Sequence, residues 1–285
     1  MKKFLFGIIV INLIFIFPLY FPLYAQQVEY NPVYGPKTVI LGDNIAVINL
    51  PKHFIFLDKY DTRKFFEEIK EPYAGNELGI IFPQKDLRWF ALFRYVQTGY
   101  IKDDEVDKLN PKELLQIIKE NTEKANKERK KMGVPTIEVI DWYSPPHYDR
   151  YNHSLTWAII GKQEDRKELV INYSSIILGR YGILSCTVVG EYIDASLIYS
   201  KMDFLVSSTK FTQGRKYEEW RQGDKIADIT LTGLITGGTA AAAYGAAKTG
   251  LLAKMGKFLF KGILIILIPI IAFFRWLWRK FTAGK

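Results

Sequence analysis

The last fifth of the chain constrains it most. From residue 229 to residue 285 there is no Asp or Glu, and residues 262–274 read GILIILIPIIAFF between Lys261 and Arg275. In water so long an apolar run needs a large core to cover it, whereas a bilayer accepts it directly. A hydrocarbon core of about 30 Å is crossed by about 20 residues at about 1.5 Å each, so a spanning helix extends over residues 258–278. Lys261 and Arg275 then snorkel outward, Pro269 kinks the helix at a cost that lipid tolerates, and Trp276 and Trp278 settle among the headgroups. The lipid bilayer is the first expected partner.

A second uncharged stretch, residues 229–247, precedes this run and is rich in Gly, Ala and Thr. Gly233, Gly237, Ala241 and Gly245 recur every four residues, the spacing that lets helices approach closely in lipid. Two arrangements stay open: one C-terminal span, or a helical hairpin whose first arm is this stretch. The alternative for residues 229–247 is a weakly apolar helix lying on the membrane or on the soluble domain. Lysines between the two stretches and cations after the second balance, so charge does not choose.

The N-terminus carries Lys2 and Lys3, an apolar stretch over residues 4–17 and a small residue at Ala25. This is the pattern of an export signal over residues 1–25, with an uncleaved signal anchor as the alternative. The expected organisation is a signal (1–25), an extracytoplasmic domain (26–228) and a membrane anchor (229–285), with the domain on the outer side of the inner membrane. The whole chain is +9, but all 30 acidic residues and 29 of the 39 cations fall in 26–228, which is therefore −1. The positive excess belongs to the two ends, and nucleic acid is not an expected partner.

Within 26–228 short β-branched and aromatic runs bounded by Gly, Pro, Asp and Asn predict strands over 38–41, 45–50, 53–57, 78–82, 89–95, 136–142, 154–160, 168–173 and 183–189. Three helices interrupt them. Residues 61–70 start on Asp61 as a cap, residues 110–132 open on Asn110 and Pro111, and residues 194–207 precede a short strand at 209–211. The long helix has an apolar first half (Leu114, Leu115, Ile117, Ile118) and an almost wholly charged second half, ENTEKANKERKK, expected to project into solvent. An antiparallel sheet sandwiched with helices, an α+β fold, follows.

Several blocks resemble a bacterial family of predicted membrane-anchored proteins, domain of unknown function 2167, over about residues 35–261. They include Gly35-Pro36, Gly99-Tyr100-Ile101-Lys102-Asp103-Asp104, Ala125-Asn126-Lys127-Glu128-Arg129, Asp141-Trp142 with Pro145-Pro146-His147-Tyr148-Asp149, Leu178-Gly179-Arg180 and Gly214-Arg215-Lys216-Tyr217. Asp141 stands where the family pattern has Gly, and His147 where Arg is common. The resemblance implies an exported, membrane-tethered domain and no particular activity. By fold analogy the order of elements looks like the PsbP/Mog1 sandwich, and fold does not give function.

Two clusters have the side chains that metal chemistry needs. Asp103, Asp104, Glu105 and Asp107 are hard oxygen donors, set beside Lys102 and Lys108 and lacking EF-hand spacing; their alternative is a solvated acidic stretch before the long helix. His147, Asp149 and His153, in HYDRYNH after a Pro-Pro turn, offer imidazoles to zinc or simply a packed turn. Gly179 and Gly182 in LGRYG read as a hairpin turn, and the one cysteine, Cys186, as a buried hydrophobe. No cofactor is expected. Three function classes remain: a non-catalytic binding or scaffolding module with an envelope protein as partner, a metal-assisted envelope hydrolase using Asp103, Asp104 and Asp107 or His147 and His153, and a small-ligand or lipid-binding module. A deep apolar pocket would favour the last.

Overall fold

A computed structural model describes residues 30–69, 73–85, 89–131, 133 and 135–237. The apolar run at 262–274, the expected anchor residues Lys261, Pro269, Arg275, Trp276 and Trp278, and the export signal expected over residues 1–25 lie outside the described residues. Among the described residues no helix is long and apolar enough to cross a membrane.

Eleven strands and four α-helices alternate along the described chain. The strands are β1 (Val33–Tyr34), β2 (Lys37–Leu41), β3 (Ala46–Leu50), β4 (Phe54–Asp58), β5 (Glu77–Pro83), β6 (Ala91–Val96), β7 (Ile137–Asp149), β8 (Ser154–Gln163), β9 (Leu169–Leu178), β10 (Ile183–Glu191) and β11 (Thr209–Phe211). The helices are α1 (Lys59–Glu68), α2 (Pro111–Lys131), α3 (Ala195–Ser207) and α4 (Leu231–Ile235). Eight strands form one antiparallel sheet in the order β1-β4-β5-β6-β10-β9-β8-β7, and β11-β3-β2 form a second. This is the antiparallel α+β sandwich expected from the pattern.

Alternation within strands divides the core. Ile81, Ala91, Phe93 and Val188 point to one face, where α3 and the small sheet cover them with Ile198, Met202, Leu205, Leu41 and Ile48. Their neighbours Ile80, Leu92 and Val189 point to the other face, under Phe65 and Phe66 of α1. Further along that second face, Leu155, Trp157 and Ile176 pack with Leu114 and Ile118 of α2 and with Leu231, Leu234 and Ile235 of α4. A period-two strand buried on both faces is apolar throughout, and β5 is such a strand, with its first six residues buried.

The structure departs from the sequence expectations in four places. Helix α1 is capped by Asp58, whose side chain accepts from the Tyr60 and Asp61 amides; Asp61 lies in the first turn and is buried, held by the Asn31 amide (2.5 Å) and Lys64 (2.8 Å). The second half of α2 does not project into solvent: Thr122, Ala125, Asn126 and Arg129 are buried. Hydrogen bonding in place of hydrophobicity explains this. Asn126 Nδ2 donates to the Ile137 carbonyl (2.7 Å) and the Ile137 amide donates to Asn126 Oδ1 (3.0 Å), so one side chain stands in for a neighbouring strand.

The Pro145-Pro146 pair makes no turn. Both prolines lie inside β7, an edge strand paired only with β8 through several register shifts; proline is admissible there because one side of an edge strand needs no ladder donor. Finally, residues 229–237 pack on the domain, as in the alternative given for this stretch, and so carry the domain past the boundary expected at 228. Leu231 is fully buried, Thr232 N donates to Glu105 Oε1 (2.8 Å), and Asn121 Nδ2 donates to the Thr236 carbonyl (3.1 Å). A membrane span starting at Ile229 would have to withdraw these groups from the core.

Candidate functional site

The β7–β8 turn, the loop before α2 and the segment after β11 meet at one end of the large sheet. Asp149 nucleates the turn: its carboxylate accepts from the Tyr151 amide (2.8 Å), the Asn152 amide (3.3 Å) and Asn152 Nδ2 (2.6 Å). Burial raises its pKa, but these hydrogen bonds outweigh burial and hold it below the usual carboxylate range. The turn ends on His153 in the left-handed region, φ 49°, a conformation in which His, Asn and Asp are enriched among non-glycine residues.

That backbone brings His153 to Asp103, one residue from each of the two clusters singled out in the sequence. Tyr148 lies between them. Its hydroxyl donates to Asp103 Oδ2 (2.9 Å) and lies 3.1 Å from His153 Nδ1, while His153 Nδ1 and Asp103 Oδ2 are 3.8 Å apart. A phenol has one proton, and the carboxylate only accepts. The contact with His153 therefore needs the imidazole proton on Nδ1, which leaves the lone pair of a neutral ring on Nε2. Burial, then the bond to Asp103, pushes the Tyr148 phenol well above its ordinary pKa.

Aromatic rings extend the relay. His153 packs on Tyr217 at 4.3 Å between centroids, Tyr217 stacks on Tyr100 at 4.5 Å and 20°, and Trp220 covers Tyr100 at 5.3 Å. Tyr217 donates to the Ile101 carbonyl (3.0 Å), and burial raises its pKa too. On its other side His153 borders a cleft of about 280 Å³ that also touches Tyr151, Lys210, Phe211 and Lys216.

The remaining sequence candidates go elsewhere. Asp107 pairs with Arg150 through both carboxylate oxygens (2.9 and 3.0 Å), Glu105 holds the α4 backbone, and His147 is exposed on β7 opposite Thr156. Asp104 lies in the turn before the Val106–Lys108 helical turn. Asp103, Asp104 and Asp107 do not converge, nor do His147 and His153, and among the described residues no three His, Cys, Asp or Glu side chains gather as a metal would need. The acidic stretch instead fastens two parts of the fold: the end of β7 with its turn, through Tyr148 and Arg150, and α4, through the Thr232 amide. Cys186 is buried and burial raises its thiol pKa. LGRYG does link β9 to β10, and Arg180 there forms a two-pronged pair with Asp224 (2.6 and 3.0 Å).

A second site, not signalled by any motif, lies on the α2 face. A cavity of about 130 Å³ opens between α2, the outer strands and the chain just after α4. Ile118, Val139, Trp157, Ile159, Val170 and Leu234 give it apolar walls, and Asn121, Asn172 and Ser174 add a few polar groups. The sequence hides it because its lining comes from five separate segments. The only local trace is Gly161, where a Cβ would come within 3.3 Å of the Glu138 carbonyl.

The sequence matches the family described as Protein of unknown function (DUF2167) over residues 33–271, and the chain belongs to that family. No functionally curated protein matches it. Among solved structures it is similar to cyanobacterial PsbP (CyanoP) from Synechocystis sp. PCC 6803, at 9% identity over 66% of this chain and 96% of that one, TM-score 0.38. It is similar also to the Saccharomyces cerevisiae Ran-binding protein Mog1p, at 10% identity over 68% and 100%, TM-score 0.36. A third is LpqN of Mycobacterium tuberculosis, described as involved in cell envelope biogenesis, at 11% identity over 66% and 95%, TM-score 0.32. PsbP and Mog1, the two proteins of the fold analogy, are thus among the similar solved structures.

Proposed function

We propose that this protein is a non-catalytic binding module, exported and tethered to the inner membrane by its C-terminal segment, that holds an apolar group of lipid-like character in the cavity beneath α2. The cavity is the observation that carries this reading. At about 130 Å³ it approaches the roughly 150 Å³ at which an apolar protein cavity stays dry and takes a benzene ring. A few polar groups at an apolar pocket are what small-ligand sites use to orient a bound molecule. Residues 234–237 line it, and the apolar run that follows in the sequence would keep the cavity close to lipid. The domain's net charge near neutrality also suits a site that selects by apolar contact.

Heavy-atom quenching tests the proposal. Bromobenzene added to the full chain in nanodiscs is expected to quench part of the tryptophan emission saturably, and Trp157→Phe removes that part. Ile159→Phe, which fills the cavity and keeps Trp157, abolishes the saturation. Quenching that is linear in bromobenzene and identical in Ile159→Phe would sink the reading. An envelope hydrolase is the second reading; the Asp103–Tyr148–His153 relay, which leaves an imidazole nitrogen beside a cleft, is the observation in its favour.

A further inference from the structure

We propose that the cleft beside His153 is a binding site for the free C-terminal residue of a peptide, carrying a carboxylate, an amide N–H and an apolar side chain. The inference is independent of the apolar cavity and rests on the donors, acceptors and floor of this cleft. Its volume of about 280 Å³ sits at the lower edge of the roughly 300–1,000 Å³ range of small-molecule sites, and admits one residue.

The floor is apolar. Ile177, Leu178 and Phe211 line it and are at most 6% exposed. The walls hold two lysines and one glutamate, so the fixed charges sum to +1 before His153 is counted (Lys210, Lys216, Glu218). Lys210 is oriented by Asn152 Oδ1 and by the Tyr151 ring, 5.3 Å from its Nζ. An ammonium has three donors, and Asn152 occupies one. Lys216 is placed by its own backbone, whose amide donates to Glu219 Oε2 (2.9 Å) and whose residue bridges to Gly179. These two ammonium groups supply donors for a carboxylate, with the extra strength that charge on both partners gives.

His153 supplies the opposite function. Tyr148 and Asp103, neither of which lines the cleft, engage His153 through Nδ1, and Tyr217 covers one ring face. With Nδ1–H turned to Tyr148, Nε2 is the ring nitrogen left to accept a hydrogen bond. Thr209 repeats the pattern: its hydroxyl proton goes to the Leu205 carbonyl (2.7 Å), leaving its oxygen to accept. A bare carboxylate has no donor for these acceptors. A bare amide has no anion for the lysines. A C-terminal residue satisfies both, with its side chain over Ile177 and Phe211.

Calorimetric titration of the full chain in nanodiscs with N-acetyl-leucine tests this. N-acetyl-leucine is expected to bind, N-acetyl-leucinamide at least about tenfold more weakly, the scale of one lost charge-assisted hydrogen bond. 4-Methylpentanoate keeps the carboxylate and the tail and lacks the amide, and is also expected to bind more weakly. Lys216→Met, at an exposed position, and His153→Asn, whose new side chain tolerates a positive φ, each lower affinity for N-acetyl-leucine by about tenfold. Equal binding of the acid and its amide, equal binding of 4-methylpentanoate, unchanged affinity in both variants, or no saturable heat with N-acetyl-leucine would each overturn the assignment.

Discussion

Replacing Asn126 by alanine tests how the long helix is held. Asn126 is 6% exposed and Ile137 5% exposed, and the side chain both donates to and accepts from the Ile137 backbone, at 2.7 and 3.0 Å. The variant leaves one amide and one carbonyl of a buried residue without their partner. Each stranded buried polar group costs about 1–3 kcal/mol, so a loss of about 3 kcal/mol is expected. For a domain of this size 1 kcal/mol moves Tm by about 2–4 °C, which gives a drop of about 6–12 °C. The assay is thermal unfolding of the full chain in nanodiscs followed by far-ultraviolet circular dichroism. Lys124→Ala, at an exposed position of the same helix, serves as control and should change Tm by less than about 1 °C. A drop below about 2 °C for Asn126→Ala would refute the reasoning, because it would mean that the charged half of α2 stands off the sheet in solution.

Two other perturbations follow from the same packing. At Gly79 a Cβ would come within 2.3 Å of the Phe56 ring and 2.7 Å of the Leu57 carbonyl; Gly79→Ala should therefore destabilise by about 1–3 kcal/mol, read as a lower urea midpoint at unchanged slope, and an unchanged midpoint would contradict it. Asp149 and Asp224 are both held below the ordinary Asp value of 3.8, Asp149 by the hydrogen bonds of its turn against the effect of burial and Asp224 first by its bond to Arg180. Groups with depressed folded pKa values contribute stability that is present above the unfolded value and lost as pH falls through the folded one. Tm should hold between pH 7 and 5 and fall below about pH 4, less steeply in Asp224→Asn; an equally steep fall in that variant would remove Asp224 from the account.

Much of the fold was legible in the residues. The strand runs at 38–41, 45–50 and 183–189 and the Asn110-Pro111 helix start appear where composition and turn residues put them, because a two-residue period and a cap are local properties. The Pro145-Pro146 strand was not legible, since proline reads as a breaker unless one knows that the strand has a single neighbour. The Asp58 cap is not legible either, because Asp61 stands nearer the apolar positions of the helix. Of the site, Asp103 and His153 stand in separate clusters, and Tyr148, the group that joins them, lies within HYDRYNH without being one of its metal-ligating side chains.

The sequence by itself determined the class: an antiparallel α+β domain, its family, and the placement of all 30 carboxylates between two acid-free ends. These depend on periodicity, capping and charge, which are counted along the chain. Tertiary structure decided what those residues do. It set a polar helix face against an edge strand, placed the Tyr148 hydroxyl between Asp103 and His153, and opened a cavity whose walls come from five distant segments. Each of these depends on groups far apart in sequence meeting at hydrogen-bond or van der Waals distance, and a one-dimensional pattern carries no record of that distance.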